Sequence, residues 1–398
     1  MVYSVGMIKD RYIHAAIQAD LKEKMVFLGG PRQVGKTTLA RFLGERDYTS
    51  YAYFNWDNRQ DRKSILQGEF SADAGLVIFD EIHKYKKWKN HIKGEFDTHK
   101  GRFHILVTGS ARLDMYRKGG DSLMGRYHYY RLHPFSCAEV LGVKPNISVF
   151  KELTFPTSYR SASRVFMDLL TFGGFPEPFL KKDQQTLRRF HNERVDRLIK
   201  EDIRDIEQVH DLSALQILVE ILPSKVGSLL SLNSLRGDLE VAHKTVKTWM
   251  DILERFYYHF RIYPYAFTAI KSLRKEPKMY LWDWSQVTNA GARLENMVAS
   301  HLLKMTHFLY DAYGHKAELY FLRDIEGREV DFLVTINRKP WLAIEVKSSH
   351  EAVSKPLAYF AEKLKIPFTY QLVMDSAVDY WKKDIRVISA DAFLSGLV

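Results

Sequence analysis

The chain has 398 residues, by length roughly two to four domains. Hydrophobic residues at 46% and aromatics at 13% suit packed globular cores, while no apolar run approaches the ~20 residues that span a bilayer and the polar first 24 residues lack a signal-peptide core. The single cysteine, Cys137, excludes an intramolecular disulfide and fits a reducing cytoplasm, and a formal net charge of +11 favours an acidic partner such as nucleic acid.

In chain order, residues 1–24 read as a lead-in helix whose Ile13, Ile17 and Leu21 recur at helical spacing and pack on the next domain. The apolar run Met25 to Leu28 then enters Gly29-Gly30-Pro31-Arg32-Gln33-Val34-Gly35-Lys36-Thr37-Thr38, and an amphipathic helical segment follows. Gly30-x-x-x-x-Gly35-Lys36-Thr37 is a complete phosphate loop between a strand and a helix. Gly30 and Gly35 let the backbone turn its N–H groups onto phosphate oxygens, Lys36 supplies positive charge to the β- and γ-phosphates, and Thr37 offers a hydroxyl to Mg²⁺. The positive end of the next helix faces the same anion. The nucleotide-binding segment expected here is therefore Gly30, Pro31, Arg32, Gln33, Val34, Gly35, Lys36, Thr37 and Thr38, with ATP and Mg²⁺ as ligands.

Tyr51 to Asp57 reads as a second strand, with Asp57 capping the next helix rather than reaching the nucleotide. Leu76-Val-Ile-Phe-Asp80-Glu81 is a buried parallel strand ending in two acids. Asp80 is expected to hold the Mg²⁺ hydration shell, and Glu81 to orient or activate the attacking water. A strand from Phe103 to Val107 leads into Thr108-Gly-Ser110. There Ser110 is the expected γ-phosphate sensor, with Thr108 in reserve. Arg126, just before the strand Tyr127 to Leu132, is either an arginine finger for its own subunit or a neighbour's, or a solvated arginine.

From about residue 161 the pattern turns helical, interrupted at Gly173-Gly-Phe-Pro-Glu-Pro178, and suits a lid over a nucleotide. Helices are expected at Leu212 to Leu222, Leu232 to Leu239 and Lys244 to Phe256. The β-prone Tyr257 to Pro264 would form a two-stranded wing. The third helix presents Lys244, Thr245, Lys247 and Thr248, a set that serves either DNA or a protein surface. Further on, a helix carries Glu295. A hairpin follows with Asp331 on its second strand, and the next strand holds Glu345-x-Lys347, on one face because strand side chains alternate. Asp331 and Glu345 would hold a divalent metal, Glu295 would complete its shell, and Lys347 would steer a water toward a phosphodiester.

Together, Gly30 to Thr37, Asp80-Glu81 and Thr108-Gly-Ser110 resemble archaeal and bacterial AAA+ ATPases whose winged helix is followed by a restriction-endonuclease-like domain. So do Gly173-Gly-Phe-Pro-Glu177, Trp249 through Pro264, Glu329-Val-Asp331-Phe and Ile344-Glu-Val-Lys347. The resemblance runs from about residue 20 to the C-terminus. It implies an α/β chain made of a parallel-sheet P-loop core over 1–150, a helical lid over 151–211, a winged helix over 212–270 and a nuclease-like domain over 278–398. It also implies a second sensor arginine in the lid, for which Arg188, Arg189, Arg194 and Arg197 all qualify. Function follows as an expectation: a Mg²⁺-dependent ATPase acting on DNA, with metal-dependent cleavage by the last domain. The alternative is a nucleotide-controlled switch whose C-terminal domains bind protein, alone or as an oligomer.

Overall fold

The computed structural model describes residues 10–71, 73–109, 123, 125–155, 159–203, 211–266, 275–349 and 352–398. It divides into two compact units, one of Met1–His133 with Asp311–Gly314 and one of Pro134–Tyr310 with His315–Val398.

The first unit is built on five parallel strands: β1 (Met25–Gly29), β2 (Tyr51–Asn55), β3 (Leu76–Asp80), β4 (His104–Thr108) and β5 (Tyr127–Arg131). Their spatial order is β2-β3-β4-β1-β5. β1 and β3 are buried at every position, because helices cover both faces of a parallel sheet and leave no polar side to the strand. β2, at the edge, is half-buried throughout. On one face Met25, Phe27, Val77, Phe79, Ile105 and Val107 pack with Trp88 and Ile92. Each fully buried aliphatic or aromatic side chain there contributes about 1.5–3 kcal/mol. The expected lead-in helix is α1 (His14–Leu21), and Ile13, Ile17 and Leu21 are buried as the spacing requires. Helix α2 (Lys36–Asp47) follows the phosphate loop. The next helix, Arg59–Gln67, is capped by Asn58, whose side chain accepts from the Gln60 and Asp61 N–H groups at 2.8 and 3.2 Å. This corrects the role assigned to Asp57, which pairs instead with Lys84.

The second unit joins helices to an eight-stranded mixed sheet. Its strands are β6 (His259–Pro264), β7 (Lys278–Leu281), β8 (Ala317–Arg323), β9 (Glu329–Ile336), β10 (Lys339–Lys347), β11 (Phe368–Val373), β12 (Asp379–Lys382) and β13 (Ile385–Ser389), in the order β12-β13-β11-β10-β9-β8-β6-β7. Three helices, Leu212–Ile221, Leu232–Leu239 and His243–Arg255, precede β6. The wing expected within Tyr257 to Pro264 is not a self-contained hairpin. β6 pairs antiparallel with β7 and parallel with β8, so this segment is part of the large sheet. The cause lies in the burial of β6, where Phe260 and Ile262 leave only alternate positions open.

Helices Tyr159–Phe172, Pro176–Lys181 and Gln184–Arg197 pack within this second unit around the segment Asp283–Ser285. The Trp284 indole donates to the Leu169 carbonyl at 2.7 Å, and His191 bonds Ser285 at 2.9 Å. Gly174 is required by a close approach, since a Cβ there would stand 2.6 Å from the Phe135 carbonyl oxygen. Among the lid arginines, Arg194 is buried: it donates to the Tyr257 carbonyl at 3.0 Å and lies over the Phe175 ring. Arg188, Arg189 and Arg197 are exposed. No helix among the described residues is long and apolar enough to cross a membrane.

Candidate functional site

The site of the first unit forms where β1 ends. Backbone φ is positive at Gly30 (137°), Gln33 (60°) and Gly35 (100°), which wraps the loop before α2 begins at Lys36. At Gly30 two constraints coincide: L side chains rarely adopt such a φ, and a Cβ would meet the Leu132 carbonyl oxygen at 2.5 Å. Pro31 and Val34 are buried, Arg32 and Gln33 half-buried, and Thr37 and Thr38 exposed. The buried Lys36 ammonium turns into the loop and donates to the carbonyls of Gly30 (3.0 Å) and Pro31 (2.7 Å).

Strand order brings the acids to this loop. β4 lies between β1 and β3, so the tips of all three sit side by side. Asp80 is buried, and its carboxylate accepts from Thr37 Oγ1 (2.7 Å), Tyr53 Oη (2.7 Å) and Thr108 Oγ1. The Thr37–Asp80 contact joins the two residues expected to share Mg²⁺. Glu81 follows with φ 56°, a left-handed non-glycine residue fixed by its N–H bond to the Thr108 carbonyl. Its carboxylate is half-exposed, 3.5 Å from Lys84 and 3.6 Å from His83. N–H groups around a loop, a buried ammonium and a hydroxyl–carboxylate pair are the donor set that a nucleoside triphosphate with Mg²⁺ needs.

Two residues of this site escaped the sequence reading. Tyr53 sits on β2 opposite Ile78, where its phenol reaches Asp80; burial and then that hydrogen bond raise its pKa. Its alternation with Tyr51 was the available signal. Arg11 precedes α1, is buried, and donates to the carbonyls of Val34 (3.0 Å) and His133 (2.5 Å), thereby tying the phosphate loop to the end of β5. An isolated arginine before a helix carries no pattern that would have revealed this.

Arg126 requires a correction for its own subunit. Its carbonyl accepts from Met25 N–H, so it stands at the amino-terminal edge of the sheet, whereas the phosphate loop leaves the carboxyl-terminal edge. Its guanidinium forks onto Asp97 at 2.9 and 3.2 Å. Ser110 lies outside the described residues. Thr108, the reserve, stands at the tip of β4 and contacts Asp80.

In the second unit the structure gathers Glu295, Asp331, Glu345 and Lys347. Asp331 on β9 accepts from the Val346 N–H of β10 at 2.9 Å. Glu345 accepts from Lys347 (2.9 Å) and Ser354 (3.3 Å). Glu295 accepts from Tyr280 (2.6 Å). Burial, then the nearby Asp331 charge, pushes both Glu295 and Glu345 up to about 7, and burial raises Asp331 itself. The sequence reading did not include Lys278. Its Nζ lies 2.7 Å from Glu329, 3.4 Å from Glu295 and 3.5 Å from Asp331. Burial would lower its pKa, but the three carboxylates outweigh burial and raise it. Among the described residues, no group of three or more His, Cys, Asp or Glu side chains is arranged to hold a metal ion. The metal role expected of Glu295, Asp331 and Glu345 thus meets an ammonium already among the acids.

Residues 22–141 match the family model of an AAA domain, whereas 163–295 and 290–393 match two families described only as domains of unknown function. An uncharacterized protein of Methanocaldococcus jannaschii is 25% identical over 312 residues, covering 70% of this chain and 64% of the relative. The chain therefore spans just under two thirds of that relative. An uncharacterized protein of Mycobacterium tuberculosis is 21% identical over 351 residues, covering 84% of this chain and 72% of its own length. Among solved structures, the Thermotoga maritima RuvB Holliday junction branch migration motor is 16% identical, with 62% of this chain and 84% of that chain covered and a TM-score of 0.30. The Pyrococcus furiosus Hef helicase domain is 17% identical, with 64% and 70% covered and a TM-score of 0.22. At such scores the fold rests on the strand order and the phosphate loop: this is a mixed α/β chain whose parallel five-stranded sheet matches a P-loop AAA+ core, with a C-terminal α/β region.

Proposed function

We propose that the chain is a Mg²⁺-dependent, ATP-hydrolysing AAA+ protein that acts on DNA. The observation that carries the first part is the joint placement of Lys36, Thr37 and Asp80, with Glu81 one residue beyond. The buried Lys36 ammonium donates to the carbonyl dipoles of Gly30 and Pro31, and a phosphate would offer it a full charge. Thr37 and Asp80 are joined already and would hold Mg²⁺, which neutralises charge on the transferring phosphoryl group when bound. Glu81 supplies the carboxylate that takes a proton from water. Its strained backbone supports that reading, because such strain clusters at functional positions. ATP turnover in wild type, Lys36→Ala and Glu81→Gln tests the assignment. Loss of about 10²-fold or more in both variants is expected, and unchanged turnover in both removes the site.

DNA contact is supported by the net charge of +11 and by Lys244, Lys247 and Thr248, exposed together on helix His243–Arg255. Affinity measured against salt tests it. Phosphate contacts give a steep loss with rising salt, and no binding at low salt favours a protein partner. A second reading, a nucleotide-controlled switch without nuclease activity, is favoured by one observation: Lys278 occupies the middle of the acids that cleavage would need.

A further inference from the structure

A metal-dependent phosphodiesterase site needs carboxylate oxygens converging on one point, about 2.0–2.6 Å from the cation. In the second unit the acids converge on an ammonium instead: Lys278 Nζ lies 2.7 Å from Glu329, 3.4 Å from Glu295 and 3.5 Å from Asp331, a wider spacing than a metal ion takes. Other donors also reach these acids, on Oε1 of Glu295 and of Glu345 and on the second oxygens of Asp331 and Glu329. Tyr280 donates to Glu295, the Val346 N–H to Asp331, Lys347 and Ser354 to Glu345, and Arg323 to Glu329. Within this cluster, Glu345 Oε2 is buried without a hydrogen bond.

The lysine is also fixed from behind. β7 is anchored by its ladder to β6, by the Leu230 N–H to the Pro277 carbonyl (2.8 Å), and by the Gly227 N–H to the Met279 carbonyl (3.3 Å). A Cβ at Gly227 would come within 3.0 Å of Glu295, so the loop closes directly over the acid. The Lys278 side chain is 3% exposed. A long, mobile side chain is thereby converted into a stationary charge.

We infer that Lys278 is the resident cation of this cluster: its ammonium takes the place of a divalent metal, and Glu295, Glu329 and Asp331 form a metal-independent ion-pair core. This rests on the second reading above and deepens it. The carboxylates hold the strands of β7, β9 and the helix Ala290–Tyr313 together, which is a structural use of a nuclease-like arrangement.

Mn²⁺ binding to the full chain without nucleotide decides the matter, read by electron paramagnetic resonance and by the melting temperature. Wild type is expected to bind no Mn²⁺ at this cluster below millimolar concentration, with a melting temperature indifferent to the ion. Lys278→Met is expected to bind Mn²⁺ at least about tenfold more tightly, and Asp331→Asn added to it is expected to abolish the gain. The inference is overturned if wild type binds Mn²⁺ and Asp331→Asn removes that binding. The wild-type comparison stands even if Lys278→Met fails to fold, and Lys278→Gln is the second variant. ATP turnover is measured separately, so a failure of the phosphate-loop assignment leaves this outcome readable.

Discussion

Each unit buries a lysine beside carboxylate-bearing strands, and the two lysines are held in opposite ways. Lys36 donates to the carbonyls of Gly30 and Pro31, which are dipoles without net charge. Lys278 faces three carboxylates. The first ammonium lies inside a loop whose backbone suits an anionic ligand, and the second lies within an ion-pair core. The difference teaches that lysine-and-acid patterns alike in sequence are told apart by what the ammonium touches.

Exchanging each lysine for methionine is the strongest way to break this contrast. Lys278→Met leaves buried acids uncompensated and should cost about 3–5 kcal/mol, visible as a lower melting temperature. Lys36→Met should change the melt of the nucleotide-free protein little while lowering ATP turnover by about 10²-fold or more. Equal melts for the two variants would erase the distinction.

Gly30→Ala comes next. At φ 137°, with the Leu132 oxygen 2.5 Å from the new Cβ, the loop must shift, and a shift there moves the N–H groups meant for phosphate. Nucleotide affinity should fall about tenfold or more, and an unchanged dissociation constant would show that the loop does not cradle the ligand. Arg11→Lys is milder. A lysine can satisfy either Val34 or His133 but lacks the fork to bridge both. Because Arg11 positions the loop, KM for ATP should rise about threefold to tenfold with kcat nearly constant. A fall in kcat alone would place Arg11 elsewhere in the mechanism.

Legibility in the sequence followed the range of the interactions. The phosphate loop, the apolar run before Asp80-Glu81 and Glu345-x-Lys347 are local patterns, so their strands and turns could be read directly. Asp331 and Glu295 were legible because apolar strands and a helical stripe framed them. Lys278 was not, since it lies 17 residues before Glu295 and only the pairing of β7 with β6 carries it into the acids. Tyr53 depends on β2 lying beside β3, and Arg11 on a contact 23 residues away along the chain. The misplaced wing has the same origin: aromatic, β-prone residues announce a strand, but the partner of β6 is set by burial shared with β8. Arg126 and Asp57 were assigned by adjacency to a motif, and each formed a nearby salt bridge instead.

The contrast between the two buried charges extends to a group that the second unit keeps neutral. His301 Nε2 accepts from the Cys137 N–H at 3.1 Å while Nδ1 donates to the Met297 carbonyl at 2.8 Å, which fixes one neutral tautomer. Burial lowers its pKa to about 3, against about 6.5 for an exposed histidine. Between those values the unfolded chain takes up a proton that the folded chain refuses. The stabilisation is therefore complete above pH 6.5 and is lost as pH falls toward 3, at up to about 1.4 kcal/mol per unit. His259, buried with its pKa lowered to about 4, acts in the same direction. Melts of wild type and His301→Gln between pH 7 and 5 should thus show a shallower acid decline in the variant, with part of the slope left by His259. Parallel curves would mean that His301 is protonated in the fold, and Cys137 would then have lost its acceptor.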